Sequence, residues 1–166
     1  MKPVKQSYWT CGVLLVLGLA LAGILWAALP GPCQQSTAAL DSMEWVTLSV
    51  ERPPRTSPVE LDVRAARDAA QRAAGMQQLC AETVRENPML FLFPQPQRPS
   101  FHMQNVHVPL DILFIREDGE IAEIHRMEPG PALISPDVRV QYALELAAGQ
   151  AEALGLAVGQ RVRFVD

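Results

Sequence analysis

Between the apolar runs Met89–Phe93 and Leu110–Ile115 lies the string Phe101-His102-Met103-Gln104-Asn105, followed by His107 and Asp111. Aromatic, imidazole, carboxamide and carboxylate groups are concentrated between segments that must be buried. That is how small-molecule sites are composed: an apolar pocket with a few convergent polar groups. Gln104, Asn105, His107 and Glu145 are placed to line a concave sheet edge beside Phe101 and His102. The candidate ligand-binding set is Phe101, His102, Asn105, Asp111 and Glu145. A purely architectural reading competes with it. There Asn105 satisfies backbone groups in a tight, twisted segment, Asp111 bonds backbone amides at a turn, and Glu145 pairs with an arginine.

Two other chemistries use the same residues. A hydrolytic triad needs a nucleophile, a base and an orienting group. Ser100 and His102 share a face if their segment is a strand, and Asp111 is near both in sequence. No nucleophile elbow and no oxyanion loop accompany them, so an enzyme is the alternative from another class. Soft-metal handling is a third possibility, because thioether and imidazole ligands suit copper(I). His125 and Met127, two apart on one strand face, are the best-placed pair. The sequence names no cofactor, and Met76 and Met89 read as core gap-fillers.

These residues are positioned by a chain of short elements. Strands are expected over 45–50, 59–63, 89–93, 101–108, 111–116, 121–127, 138–146 and 161–164. Met89–Phe93 is too apolar to alternate, so both its faces are expected to be covered. Asp118-Gly119 is the hairpin turn between the fifth and sixth of these strands. Helices are expected over 64–74, ended by Gly75, and over 147–154, capped by Gly155. In the first, Asp68 is flanked at four residues by Arg64 and Arg72. The fold class is α+β, mainly β: an antiparallel sandwich or partly closed barrel with two short helices.

One hydrophobic helix precedes that domain. Cys11–Leu29 is an uncharged run of nineteen residues, preceded by Lys2 and Lys5 and by no acid. At about 1.5 Å per residue it spans roughly the ~30 Å hydrocarbon core. The lysines keep the N-terminus inside, so the rest of the chain faces the periplasm or exterior. Residues 1–30 are therefore read as a signal anchor ahead of a cleaved signal peptide, with a lipoprotein at Cys33 third. Residues 31–43 read as a linker and 44–166 as a single exported domain. From Cys33 onward 12 arginines oppose 18 acids, a net 12 − 18 = −6. That acidity weighs against a nucleic-acid partner and leaves the membrane, a small molecule or a protein. A Cys33–Cys80 bridge is chemically allowed in an oxidising compartment. A flexible linker rarely holds the geometry a bridge needs, which weighs against it.

The motifs in order resemble a known family. They are Gly75-Met76, Asn87-Pro88-Met89-Leu90-Phe91-Leu92-Phe93, Phe101-His102-Met103-Gln104-Asn105, Pro109-Leu110-Asp111-Ile112-Leu113-Phe114-Ile115, Tyr142-Ala143-Leu144-Glu145-Leu146-Ala147-Ala148-Gly149, then Gly155 and Val158-Gly159. Together they are similar to domain of unknown function 192 over roughly Val59 to Val165. The resemblance implies a compact β-rich fold, frequent export behind a signal or anchor, and no assigned activity. The chain departs from the pattern at His102, Gln104, Val106 and Pro88, where the family often has Trp, a basic residue, Thr and Gly.

Overall fold

The computed structural model of the protein describes residues 32–52 and 57–165. The apolar run Cys11–Leu29 lies outside them. Among the described residues no helix is long and apolar enough to cross a membrane.

A seven-stranded sheet organises the domain, in the order β6-β5-β8-β3-β2-β1-β9. Strands β1 (Glu44–Val50) and β2 (Val59–Ala66) form an antiparallel pair from Glu44↔Ala65 to Val50↔Val59. β2 then runs parallel to β3 (Met89–Gln97), the single parallel pair in a sheet that is otherwise antiparallel. β5 (Leu110–Ile115) lies between β6 (Ile121–Met127) and β8 (Val140–Ala147), and β9 (Val162–Val165) closes onto β1. A separate ribbon pairs β4 (Phe101–His102) with β7 (Leu133–Ile134). Four short helices complete the domain: α1 (Ala38–Ser42), α2 (Ala69–Ala74), α3 (Ala81–Glu86) and α4 (Gln150–Ala153).

The sheet curls until its two ends meet. Val162 N–H donates to Gly119 O, and Ile121 N–H donates to Gln160 O, each at 2.9 Å. Gly119 makes this contact possible. Its φ is +87°, and a Cβ there would stand 2.4 Å from Val162 O. Only glycine accepts both the dihedral and the approach. The result is a partly closed barrel and the mainly β fold expected from the sequence.

Two cores follow from the period-2 alternation of the strands. One face buries Leu48, Val50, Val63, Leu90, Leu113 and Leu144, contributed by strands all round the curl. The other buries Met89, Phe91, Ile112 and Phe114 beneath Leu40, Met76, Leu79 and Val84 of the helical layer. Met89–Phe93 is thus covered on both faces, and β5 is buried along its whole length.

Three local expectations are corrected. Arg64–Ala66, expected in a helix, continues β2, because Arg64, Ala65 and Ala66 pair with Met89, Leu90 and Phe91. Asp68 does not pair with arginines. It caps α2, accepting from Gln71 N–H at 2.8 Å while Gln71 Oε1 reaches back to Asp68 N–H, a capping box. Residues 32–43, expected as a linker, pack onto the domain, with Leu40 and Met43 buried. They are held by a Cys33–Cys80 disulfide, which the sequence reading weighed against. Cys80 N–H also donates to Gln34 O, and Gln34 N–H to Gln78 O, so the segment is laced on both sides of the bridge.

Candidate functional site

A cavity of about 240 Å³ opens between α2 and the outer face of β3 and β8. Its walls are Phe91, Phe93 and Phe101, its rim includes Arg72, the stretch Gly75–Gln77, Ser100 and His102, and Glu145 reaches it from β8. Gly75 turns the chain at the helix end with φ +48°, a left-handed dihedral that favours glycine, and a Cβ there would rest on the Phe91 ring at 3.5 Å. Phe91 and Phe101 meet edge to face with centroids 5.1 Å apart, and Phe101 leans on Phe114 at 5.8 Å. The aromatic wall is therefore rigid at its base.

Glu145 is the unusual residue. It is 4 % exposed, directly opposite Ile112 on β5 and Met89 on β3. Among the described residues no hydrogen-bond donor or cation reaches its carboxyl; the cavity is what it faces. Desolvation pushes the group up to about 8, so it carries its proton at neutral pH. Among the described residues no fully enclosed side-chain oxygen or nitrogen is left without a partner, so the Glu145 carboxyl, which has none among them, opens to whatever occupies the cavity.

The structure divides the five sequence-predicted site residues. Phe101, His102 and Glu145 come together at this cavity. Asp111 lies on the opposite sheet face, because it stands across from Leu146 and not from Glu145. One Asp111 oxygen accepts from Arg126 Nε at 2.6 Å. The other accepts from Gly149 N–H at 2.7 Å and Ala151 N–H at 3.2 Å. It fastens α4 and β6 to the sheet, and it cannot orient His102. A Ser100/His102/Asp111 triad is not assembled. His102 Nδ1 instead accepts from Gln104 N–H at 3.3 Å.

Asn105 is exposed at φ +59°. Its carbonyl accepts from Gln78 N–H at 2.6 Å, and its side-chain amide donates to Gln77 Oε1 at 3.2 Å. It joins the α2–α3 loop to the β4–β5 loop, and so positions Gln77 at the rim. Asn105→Ala is expected to cost about 1 kcal/mol, because asparagine tolerates the left-handed region through local hydrogen bonding and alanine does not. Asn105→Gly should restore most of that, and thermal melts of the two variants would check it. An equal loss in both would mean that the side-chain bond to Gln77, and not the dihedral, carries the effect.

Sequence reasoning passed over Arg72, whose guanidinium stands 5.9 Å from the Phe93 ring centroid and donates to Leu92 O at 3.0 Å. Nothing in its helical context distinguishes it. Phe91 and Phe93 were read as core. They are core and cavity wall at once, which the apolar run cannot distinguish. The His125–Met127 pair does not form a ligand set. His125 Nε2 is 2.8 Å from Glu123, and Met127 is fully buried. Among the described residues no cluster of three His, Cys, Asp or Glu is spaced to hold a metal.

Known proteins place the chain without naming an activity. The family model described as "Uncharacterized ACR", domain of unknown function 192, matches residues 51–164. A crystal structure from Sinorhizobium meliloti 1021, a candidate transcription regulator, is 31 % identical with a TM-score of 0.65. The match covers 74 % of this chain and 95 % of that one. A protein of unknown function from Novosphingobium aromaticivorans DSM 12444 is 24 % identical, also at TM-score 0.65. It covers 78 % of this chain and 99 % of its own, and shows the shared fold. No curated protein matches the chain. On its motifs, its fold and the extent of the family match, the chain belongs to the domain of unknown function 192 family.

Proposed function

We propose that this domain binds a small molecule with an aromatic or apolar body in the cavity floored by Glu145. The observation that carries the reading is a buried carboxyl, without a partner among the described residues, in a cavity lined by three phenylalanines. The cavity is open enough to admit a ligand, and its apolar walls with few polar groups fit a small-molecule site. The regulator label stays with the S. meliloti protein. A net charge of −6 beyond Pro32 weighs against DNA phosphates as the ligand.

Indole, a neutral aromatic, tests the pocket. Titrated into the labelled protein, it is expected to shift the amide resonances of Gly75, Met76, Phe101 and His102 saturably. Phe101→Ala should weaken that response about tenfold or more. Shifts confined to other surfaces would defeat the reading.

We also propose that the domain works outside the cytoplasm, anchored by residues 1–30. The uncharged run behind two lysines supports this, as does the Cys33–Cys80 bridge, a bond that persists in oxidising compartments. Fractionation of a chain tagged at its C-terminus should place it in the membrane, with the tag open to external protease. A protected, cytoplasmic tag would overturn the assignment.

A further inference from the structure

We infer that the molecule this pocket takes is an organic cation, its ammonium group seated between the Glu145 carboxyl and the phenylalanine rings. This rests on the pocket reading above and goes further, to the charge of the ligand.

Four observations converge on it. Among the described residues no cation pairs with Glu145 where it faces the cavity, so the counter-charge is left to the ligand. The walls are Phe91, Phe93 and Phe101, whose ring faces attract cations. The one cationic side chain of the described lining, Arg72, places its Nη1 on the carbonyls of Leu92 and Arg67 and forms no ion pair with Glu145, so it does not serve as that carboxyl's counter-charge. Finally, the domain's net charge of −6 beyond Pro32 favours approach of a cation.

The proton balance is simple. Empty, Glu145 is a neutral carboxylic acid at pH 7, because burial holds its proton on to about pH 8. When the ammonium enters, the O–H bond of Glu145 breaks, the proton leaves to solvent, and a carboxylate–ammonium pair remains. Binding thus competes with protonation of Glu145. Of the groups packed around it, β3 presents Met89, Phe91 and Phe93, and β5 presents Leu110, Ile112 and Phe114, none of which titrates. α3 turns Thr83 and Val84 inward and keeps Glu82, Arg85 and Glu86 exposed. His125 stands behind Phe114, paired with Glu123. Arg72 and His102 are the remaining charged or titratable groups of the lining.

The test uses the full chain in detergent and benzyltrimethylammonium, whose charge does not vary with pH. Its affinity, measured by calorimetry, is expected to rise about tenfold per pH unit between about pH 5 and pH 8 and then level off. About one proton should be released per ligand bound, read from the dependence of heat on buffer ionisation. Glu145→Gln should abolish the slope and the proton release. His102→Gln should keep both, which excludes the histidine as their source. Three results would overturn the inference while indole still binds: no ammonium binding, ammonium binding independent of pH, or benzamide binding more tightly with affinity falling above pH 8. The last would make Glu145 a neutral hydrogen-bond donor. If indole also fails to bind, the pocket reading fails first.

Discussion

Replacing Cys33 and Cys80 together by serine is expected to lower the unfolding free energy by roughly 3–4 kcal/mol. The bridge spans 47 residues of sequence. Opening it returns that loop's conformational freedom to the unfolded chain, about 4 kcal/mol in the loop-closure model. The loss should be accompanied by fraying of the N-terminal segment next to the bridge. There Gln34 is bound to Gln78 and Cys80 by two backbone hydrogen bonds and Gln35 O accepts from Thr83 Oγ1, while Ser42 O and Met43 O further along accept from Gln71 and Arg64. Chemical denaturation of the double variant beside the oxidised protein measures the first effect, and amide exchange at Leu40 measures the second. A loss below about 1 kcal/mol would mean that Leu40 and Met43 hold the segment by burial alone.

Glu145→Gln is expected to stabilise the domain, and by an amount set by pH. Burial raises the folded-state carboxyl from 4.5 to about 8. Below pH 4.5 the group is protonated in both the folded and the unfolded chain, and its full contribution is present. Between 4.5 and 8 the unfolded chain ionises while the folded one does not. Stability then falls by about 1.4 kcal/mol per pH unit. Above 8 both forms are ionised and the loss is complete, on the order of 5 kcal/mol. Glutamine has no proton to lose and suffers none of this. Melts of wild type and variant should therefore coincide near pH 4 and diverge steadily to pH 8. Parallel curves offset by a constant would show that Glu145 is ionised, and partnered, in the folded state throughout. A residue that costs its own protein stability at neutral pH is a poor choice for architecture.

How much of this was legible depended on which physical rule decided each element. Met89–Phe93, Leu110–Ile115 and Ile121–Met127 declared themselves, because their apolar content or alternation fits a strand and nothing else. Arg64–Ala66 was misread because helix propensity is a weak prior, and a parallel partner at Met89–Phe91 overrode it. α3 and β7 were missed because six- and two-residue elements leave too little pattern. The cysteines were discounted for lying in a loose segment, yet that segment packs onto the domain, with Leu40 and Met43 buried.

The site was harder, and Asp111 shows why. Asp111 and Glu145 are both carboxylates on adjacent strands, and their side chains face opposite ways. The register sets Asp111 against Leu146; a slip of one residue would set it against Glu145. No property of either residue in the sequence reveals which register holds. The architectural reading described Asp111 well, and Asn105 also serves architecture. Glu145 is where that reading finds no support, since among the described residues no arginine pairs with it.

The meeting of Gly119 with Val162 has a consequence beyond shape. A curled sheet that failed to close would leave two outer strands with unpaired backbone groups, each a template for another chain. Closure shelters the start of β6 and the inner end of β9 from such pairing. Past Ile121, β6 continues to Met127 as the last strand of its sheet, and there it carries Glu123, His125 and Arg126. Charges on a free edge repel an incoming strand. Glycine closure at one end and a charged stretch at the other leave this β-rich chain protected against edge-to-edge polymerisation, a hazard that rises wherever such domains are crowded and must refold.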